Sequence, residues 1–181
     1  VAHNDSVADG LTGAGEIVLR AAARASAQTG VPITTHTRPL LRTGELQVSI
    51  FESEGLDLNR VCIGHSNDTT DLDYLTGLAK KGVWLGLDVY PGESPDWQQR
   101  TDVAKSLIDA GYGGRIMLAH DWSVIKPWGS RESQEQEQRN NPDAYLFITN
   151  RVLPRLEEMG CSQELLHQIM FDNPRRYFEG K

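Results

Sequence analysis

Short, continuously apolar runs alternate with longer amphipathic stretches along the chain. Val31-Pro32-Ile33-Thr34-Thr35 is a β-branched run that stops at His36, and Arg60-Val61-Cys62-Ile63-Gly64 stops at His65. Val83 to Leu87 stops at Asp88, and Arg115 to Ala119 stops at His120-Asp121. Each run has the length and bounding residues of a buried strand. Glu16 to Thr29 predicts a helix closed by Gly30 and Pro32, and Gly44 to Ser53 another closed by Gly55. Asp71 to Lys80 reads as a third, closed by Gly82, and Arg100 to Ala110 as a fourth, after a loop marked by Pro91, Gly92 and Pro95. Beyond the last strand, the polar Ser130 to Asn141 predicts a long ordered loop with a helical piece. Ala144 to Met159 predicts a helix despite Pro154, and Gln163 to Met170 a short one before Asn173-Pro174.

Continuously apolar strands alternating with helices predict a parallel sheet covered by helices, an α/β fold. The strand ends lie about 25–35 residues apart, which suits successive βα units. In such sheets the chemistry gathers at the C-terminal strand ends. No Gly-x-Gly-x-x-Gly follows a strand, which lowers the dinucleotide-binding option. Ends carrying His, His, Asp and Asp favour the mouth of a (β/α)8 barrel that holds metal.

Composition narrows the function classes. The 181 residues carry 18 basic and 25 acidic side chains, a net charge of −7. That balance disfavours nucleic acid and anionic membrane surfaces as partners. No apolar run approaches the ~20 residues that span a bilayer. Cys62 and Cys161 form neither a disulfide framework nor a CxxC pair, which suits a reducing compartment or indifference to redox, and a cytoplasmic location is expected. Val1-Ala2-His3 carries no targeting pattern.

The candidate chemistry lies at the strand ends. Neighbouring parallel strands are ~4.8 Å apart, so His36 and His65 converge within reach of one or two ions. Two imidazoles and a carboxylate suit Zn²⁺, Mn²⁺, Co²⁺ or Fe²⁺. Asp121 is the preferred acid, with an N-cap or Asx-turn as its structural alternative. Asp88 reads as a positioning group, and His120 points away from Asp121 if the strand continues through both. Asp68 either caps the helix that begins near Thr69 or relays a proton. His3 and His167 have no surroundings that suggest a site. No Gly-x-Ser-x-Gly elbow supports a serine nucleophile.

These residues resemble a known family. Gly30-Val31-Pro32-Ile33-Thr34-Thr35-His36-Thr37 looks like the fifth barrel strand of the phosphotriesterase family of the amidohydrolase superfamily. Ile50 to Leu56, then Arg60 to Ser66, resembles the helix and sixth strand. Gly86-Leu87-Asp88 resembles strand seven, Leu118 to Trp122 strand eight, and Asn173 to Phe178 the C-terminal helix. The resemblance implies a binuclear metal hydrolase, usually dimeric, with His36 and His65 on the more exposed metal. Asp121 then binds the buried metal and accepts a proton from a bridging hydroxide, and Asp68 matches the proton-relay aspartate. Phosphorus and carbonyl centres are both implied as targets of attack.

The family's first-strand His-x-His pair is missing, and its bridging carboxylated lysine is expected just before Val1. Residues 1–181 therefore read as a partial barrel domain, from the end of strand four through strand eight and the C-terminal helices. The N-terminal half of the same barrel is the expected partner. Val89 stands where phosphotriesterase members often have His and lactonase-like members Arg. Val89 thus matches neither group. The short loop from Val89 to Asp96 favours a lactone or carboxylic ester as substrate, with organophosphate triesters as a side activity, and the acidic charge suits a neutral one. Tyr90, Trp122 and Trp128 are candidate walls of an apolar substrate pocket. The alternative is a non-catalytic small-molecule-binding barrel without a full metal set.

Overall fold

The computed structural model describes residues 11–123 and 129–180. Four βα-type units come first. Helix α1 (Gly13–Thr29) starts three residues earlier than the apolar pattern predicts, because Thr12 Oγ1 accepts from the Gly15 N–H at 2.9 Å. It ends at Gly30, whose φ of +77° lets its N–H reach the Ser26 carbonyl. Strand β1 (Ile33–Thr35), helix α2 (Thr43–Ser53) and strand β2 (Val61–Ile63) follow. Helix α3 (Leu72–Lys80) is capped by Asp71, and strand β3 is Trp84–Leu87. Helix α4 (Trp97–Leu107) begins at an Asp96/Gln99 capping box, and strand β4 is Ile116–Leu118.

The four strands are parallel and lie in chain order, β1-β2-β3-β4. The register pairs Thr35 with Ile63, Ile63 with Leu85, and Leu87 with Leu118, which aligns the C-terminal ends. One face of the sheet packs on the helices through Val61, Ile63, Leu85 and Leu87, all fully buried against Leu19, Phe51, Leu75 and Leu107. The other face lies open over a hollow of about 320 Å³ lined by Thr34, Cys62, Gly86, Met117 and Tyr177, among others. Alternation with period two along each strand separates these two sets. Consecutive parallel strands, helices on one side and a concave inner face are the architecture of part of a (β/α)8 barrel.

The polar stretch after β4 contains α5 (Arg131–Asn140), which buries no residue and is capped by Ser130. Where a helix is predicted over Ala144–Met159, a tight turn at Ala144–Leu146 and a wide turn at Ile148–Val152 precede α6 (Leu153–Glu158). Helix α7 (Gln163–His167) likewise runs through a wide turn, Gln168–Asp172, into α8 (Asn173–Glu179). Both wide turns come just before a proline, Pro154 and Pro174. A proline has no N–H to give to the preceding turn and crowds the carbonyl there, so a widened turn relieves the clash. Fully buried Asn173 donates through Nδ2 to the Gly113 and Ile116 carbonyls at 2.8 Å each, tying α8 to the start of β4.

Candidate active site

The strand ladders continue past the strand ends through individual bonds that hold the mouth in shape. The Gly64 N–H donates to the Thr35 carbonyl at 3.1 Å, and Thr37 Oγ1 donates to the Gly64 carbonyl at 2.7 Å. Asn67 copies a strand partner with its side chain: Nδ2 donates to the Val89 carbonyl, and Oδ1 accepts from the Val89 N–H. Fully buried Gln47 on α2 donates through Nε2 to the His36 carbonyl at 2.8 Å. His65 and Asp121 both take positive φ, +58° and +44°, where the chain leaves the sheet. Such backbone is strained for residues other than glycine, and strain of this kind gathers at functional sites.

These turns bring His36 and His65 together. His36 Nδ1 and His65 Nε2 face each other at 2.9 Å, with the rings edge to face at 87°. The Asp88 carboxylate lies behind His65: its Oδ1 accepts from the His65 backbone N–H at 2.7 Å and contacts Nδ1 at 3.0 Å. Asp88 therefore raises the His65 pKa above the ordinary imidazole value, against the opposite pull of burial, with Asp121 and Asp68 adding to the rise. A side chain at Gly64 or Gly86 would crowd Asp88 Oδ2, at 3.1 and 2.9 Å. The two glycines leave the room that this carboxylate occupies.

A cavity of about 540 Å³ opens over the pair, lined by His36, His65, Asp68 and Asp121 with Arg38, Pro39, Leu40, Leu41, Val89 and other residues. Three of the four predicted metal or proton-transfer residues come from different strand ends, and Asp68 comes from the loop after His65. Asp68 does not cap a helix, since Asp71 caps α3; instead its Oδ1 accepts from Arg100 Nη1 at 2.5 Å. Asp121 is exposed, and Ser130, not Asp121, caps the following helix. His120 turns the other way: its Nε2 accepts from the Ile148 N–H, and burial lowers its pKa.

Among the described residues no group of three His, Cys, Asp or Glu side chains is arranged to hold an ion by itself. His36, His65 and Asp121 share a cavity but do not close around one point, because the two ring nitrogens meet each other. The donors still suit a borderline divalent cation: two imidazole nitrogens converge beside carboxylates, and a carboxylate already holds the far nitrogen of one ring.

The predicted pocket walls fare unequally. Trp122 is half-buried; its carbonyl accepts from the Tyr145 hydroxyl at 2.8 Å, and it borders a second hollow of about 410 Å³ that adjoins Asp121 and Val89. Tyr90 borders the same hollow but is fully buried in the core, and burial pushes its phenol pKa up. Trp128, Val1 and His3 lie outside the described residues.

Compared with known protein families, the chain matches the phosphotriesterase family over residues 2–178. The chain belongs to the phosphotriesterase family. It is 41% identical to a phosphotriesterase homology protein of Mycobacterium tuberculosis over 172 residues, covering 94% of this chain and 52% of that protein. It is 33% identical to an aryldialkylphosphatase of Saccharolobus solfataricus, covering 93% of this chain and 54% of that one. An N-acetyltaurine hydrolase of Dictyostelium discoideum is 30% identical, covering 87% of this chain and 44% of its own length. Among solved structures, the phosphotriesterase from Mycobacterium tuberculosis superposes with a TM-score of 0.85 at 39% identity, over 91% of this chain and 51% of that one. The chain thus spans about half the length of the phosphotriesterase-family relatives it matches.

Sequence reasoning missed three supporting residues: Gln47, Asn67 and Arg100. Each sits inside a helix or loop pattern that fits an ordinary surface or core position. No local spacing signals that their partners are a strand-end carbonyl, a neighbouring backbone and a cavity carboxylate.

Proposed function

We propose that the full-length protein is a metal-dependent hydrolase of lactones or carboxylic esters, with organophosphate triesters as a side activity. The convergence of His36 Nδ1 and His65 Nε2 at 2.9 Å over a cavity that also holds Asp68 and Asp121 carries this reading. Two divalent ions, with Zn²⁺ as first candidate, would take His36, His65 and Asp121 as ligands, and the N-terminal half of the barrel would supply the rest. Bound there, the metal lowers the pKa of water and polarises the acceptor oxygen of the substrate.

The chain's own residues prepare for this. Asp88, as an acceptor, favours the His65 tautomer with its proton on Nδ1, which would leave the Nε2 lone pair for a metal. Asp121 lies at the mouth, where it would accept a proton, and Asp68, which lines the same cavity, would pass that proton toward solvent. Pro39, Leu40, Leu41 and Val89 give an apolar wall that suits a neutral acyl or alkyl group.

A second reading is an amide hydrolase for a substrate with an anionic group. Arg38 in the cavity wall favours it, since a guanidinium there complements a carboxylate or sulfonate. The test is a panel of aliphatic lactones, acyl-homoserine lactones, paraoxon and N-acetyltaurine, assayed on full-length protein loaded with Zn²⁺ or Co²⁺. Turnover of lactones above the other substrates supports the first reading, and preference for N-acetyltaurine the second. Tight binding of these compounds with no turnover of any would mean a non-catalytic binder.

A further inference from the structure

Arg100 stands apart from every other charged side chain. It is 2% exposed, and no other lysine, arginine, aspartate or glutamate among the described residues is buried. It projects from α4 beneath the loop that follows His65. Its Nε donates to the Pro95 carbonyl at 2.8 Å, and its Nη1 to the Asn67 carbonyl at 2.7 Å and to Asp68 Oδ1. Asp68 is its only carboxylate partner among the described residues, and that carboxylate is 36% exposed on the cavity wall.

A buried guanidinium is a poor way to fill space. An apolar side chain of similar volume packs as well without the desolvation penalty. The charge is explained if its counter-charge must be held in one place. One nitrogen grips both the peptide carbonyl before Asp68 and the Asp68 side chain, so backbone and carboxylate are fixed together. Asp68 Oδ2 accepts no hydrogen bond from any described residue, and is left for the cavity. Gly92, at φ +65°, backs onto the same guanidinium: a Cβ there would lie 2.2 Å from Nε, so only glycine leaves room for the arginine.

We propose that Arg100 is a positioning residue that presents Asp68 to the cavity as an anion in a single orientation. The proposal rests on the hydrolase reading above. It is tested on full-length, metal-loaded protein with Arg100→Met, Arg100→Lys, Asp68→Asn and the Arg100→Met/Asp68→Asn double variant. Turnover, KM, metal content and urea midpoint are measured for each.

Arg100→Met is expected to lower kcat about 10- to 100-fold, at or below the roughly 10²- to 10⁴-fold that a proton-transfer group itself contributes, with KM and metal content unchanged. Arg100→Lys should recover part of the loss. In the Asp68→Asn background the same Met substitution should change kcat less than about 3-fold, because residues that act as one unit are not additive. An equal loss in both backgrounds, or a loss that tracks metal content or KM, would overturn the proposal. If Arg100→Met does not fold, Gly92→Ala displaces the guanidinium from the other side and must show the same non-additivity with Asp68→Asn. Absence of turnover in the unsubstituted protein overturns the hydrolase reading, and this proposal with it. Turnover with additive losses overturns this proposal alone.

Discussion

His65 concentrates the chemistry of the site in one residue. Its backbone is strained, its Nδ1 is held by Asp88, and its Nε2 meets His36. Replacing Asp88 by Asn keeps the shape but removes the anionic partner. Asp88→Asn should therefore weaken metal binding about 10- to 100-fold, as loss of such outer partners does elsewhere. Competition with a chromophoric chelator measures it. His65→Ala should abolish turnover in a protein that still folds, checked by circular dichroism beside the assay. Activity within tenfold of the parent would remove His65 from the ligand set. These residues were legible because each ends or follows an apolar run. Arg100, Asn67 and Gln47 were not, since their roles depend on partners 11 to 33 positions away that only the folded sheet brings close.

At the scale of elements, the alternation of apolar runs and helical patterns located the four strands among the described residues and the helices between them. The differences lie at the ends and have local causes. Thr12 and the Asp96/Gln99 box start α1 and α4 earlier than apolar spacing alone suggests. Ahead of Pro154 the predicted helix becomes a wide turn followed by a shorter helix, and ahead of Pro174 a wide turn carries the helix predicted from Gln163 to Met170 on into α8.

Helix α1 is fastened to the end of α2 by Glu54, which accepts from Arg24 and Arg20 at 2.7 and 2.8 Å. These bonds, Arg24 first, lower the Glu54 pKa from 4.5 to about 2. A carboxylate pKa depressed by folding adds stability above the unfolded value, and that stability is lost as pH falls toward the folded one. Glu54→Gln should therefore be less stable than the parent at neutral pH. The gap should close between about pH 4.5 and pH 2, read from urea midpoints across that range. In the core, fully buried Leu107 on α4 packs toward the sheet, and Leu107→Ala should cost about 2–5 kcal/mol by the same measurement.

For the whole molecule, the open inner face and the two outer edges of the sheet carry the meaning. Among the described residues β1 and β4 each pair on one side only, and the hollow over the sheet is lined by Met117, buried Tyr177 and exposed Phe178, among others. In a complete phosphotriesterase-family barrel, further strands would cover that face. Residues 1–181 expressed alone should therefore bind a hydrophobic dye such as ANS strongly, and the full-length protein should not.

The overall charge, the strand-end residues and the barrel-type order were all visible along the chain. The rest of the proposed metal site was not, since the chain spans about half the length of the relatives it matches. The most direct test is metal analysis of full-length protein beside its His36→Ala and His65→Ala variants, each assayed for lactone turnover. About two equivalents of divalent metal in the parent, with metal and turnover lost together in both variants, is the expected result. Full metal content in the variants, or turnover that survives without His36 and His65, would contradict a metal centre at these strand ends.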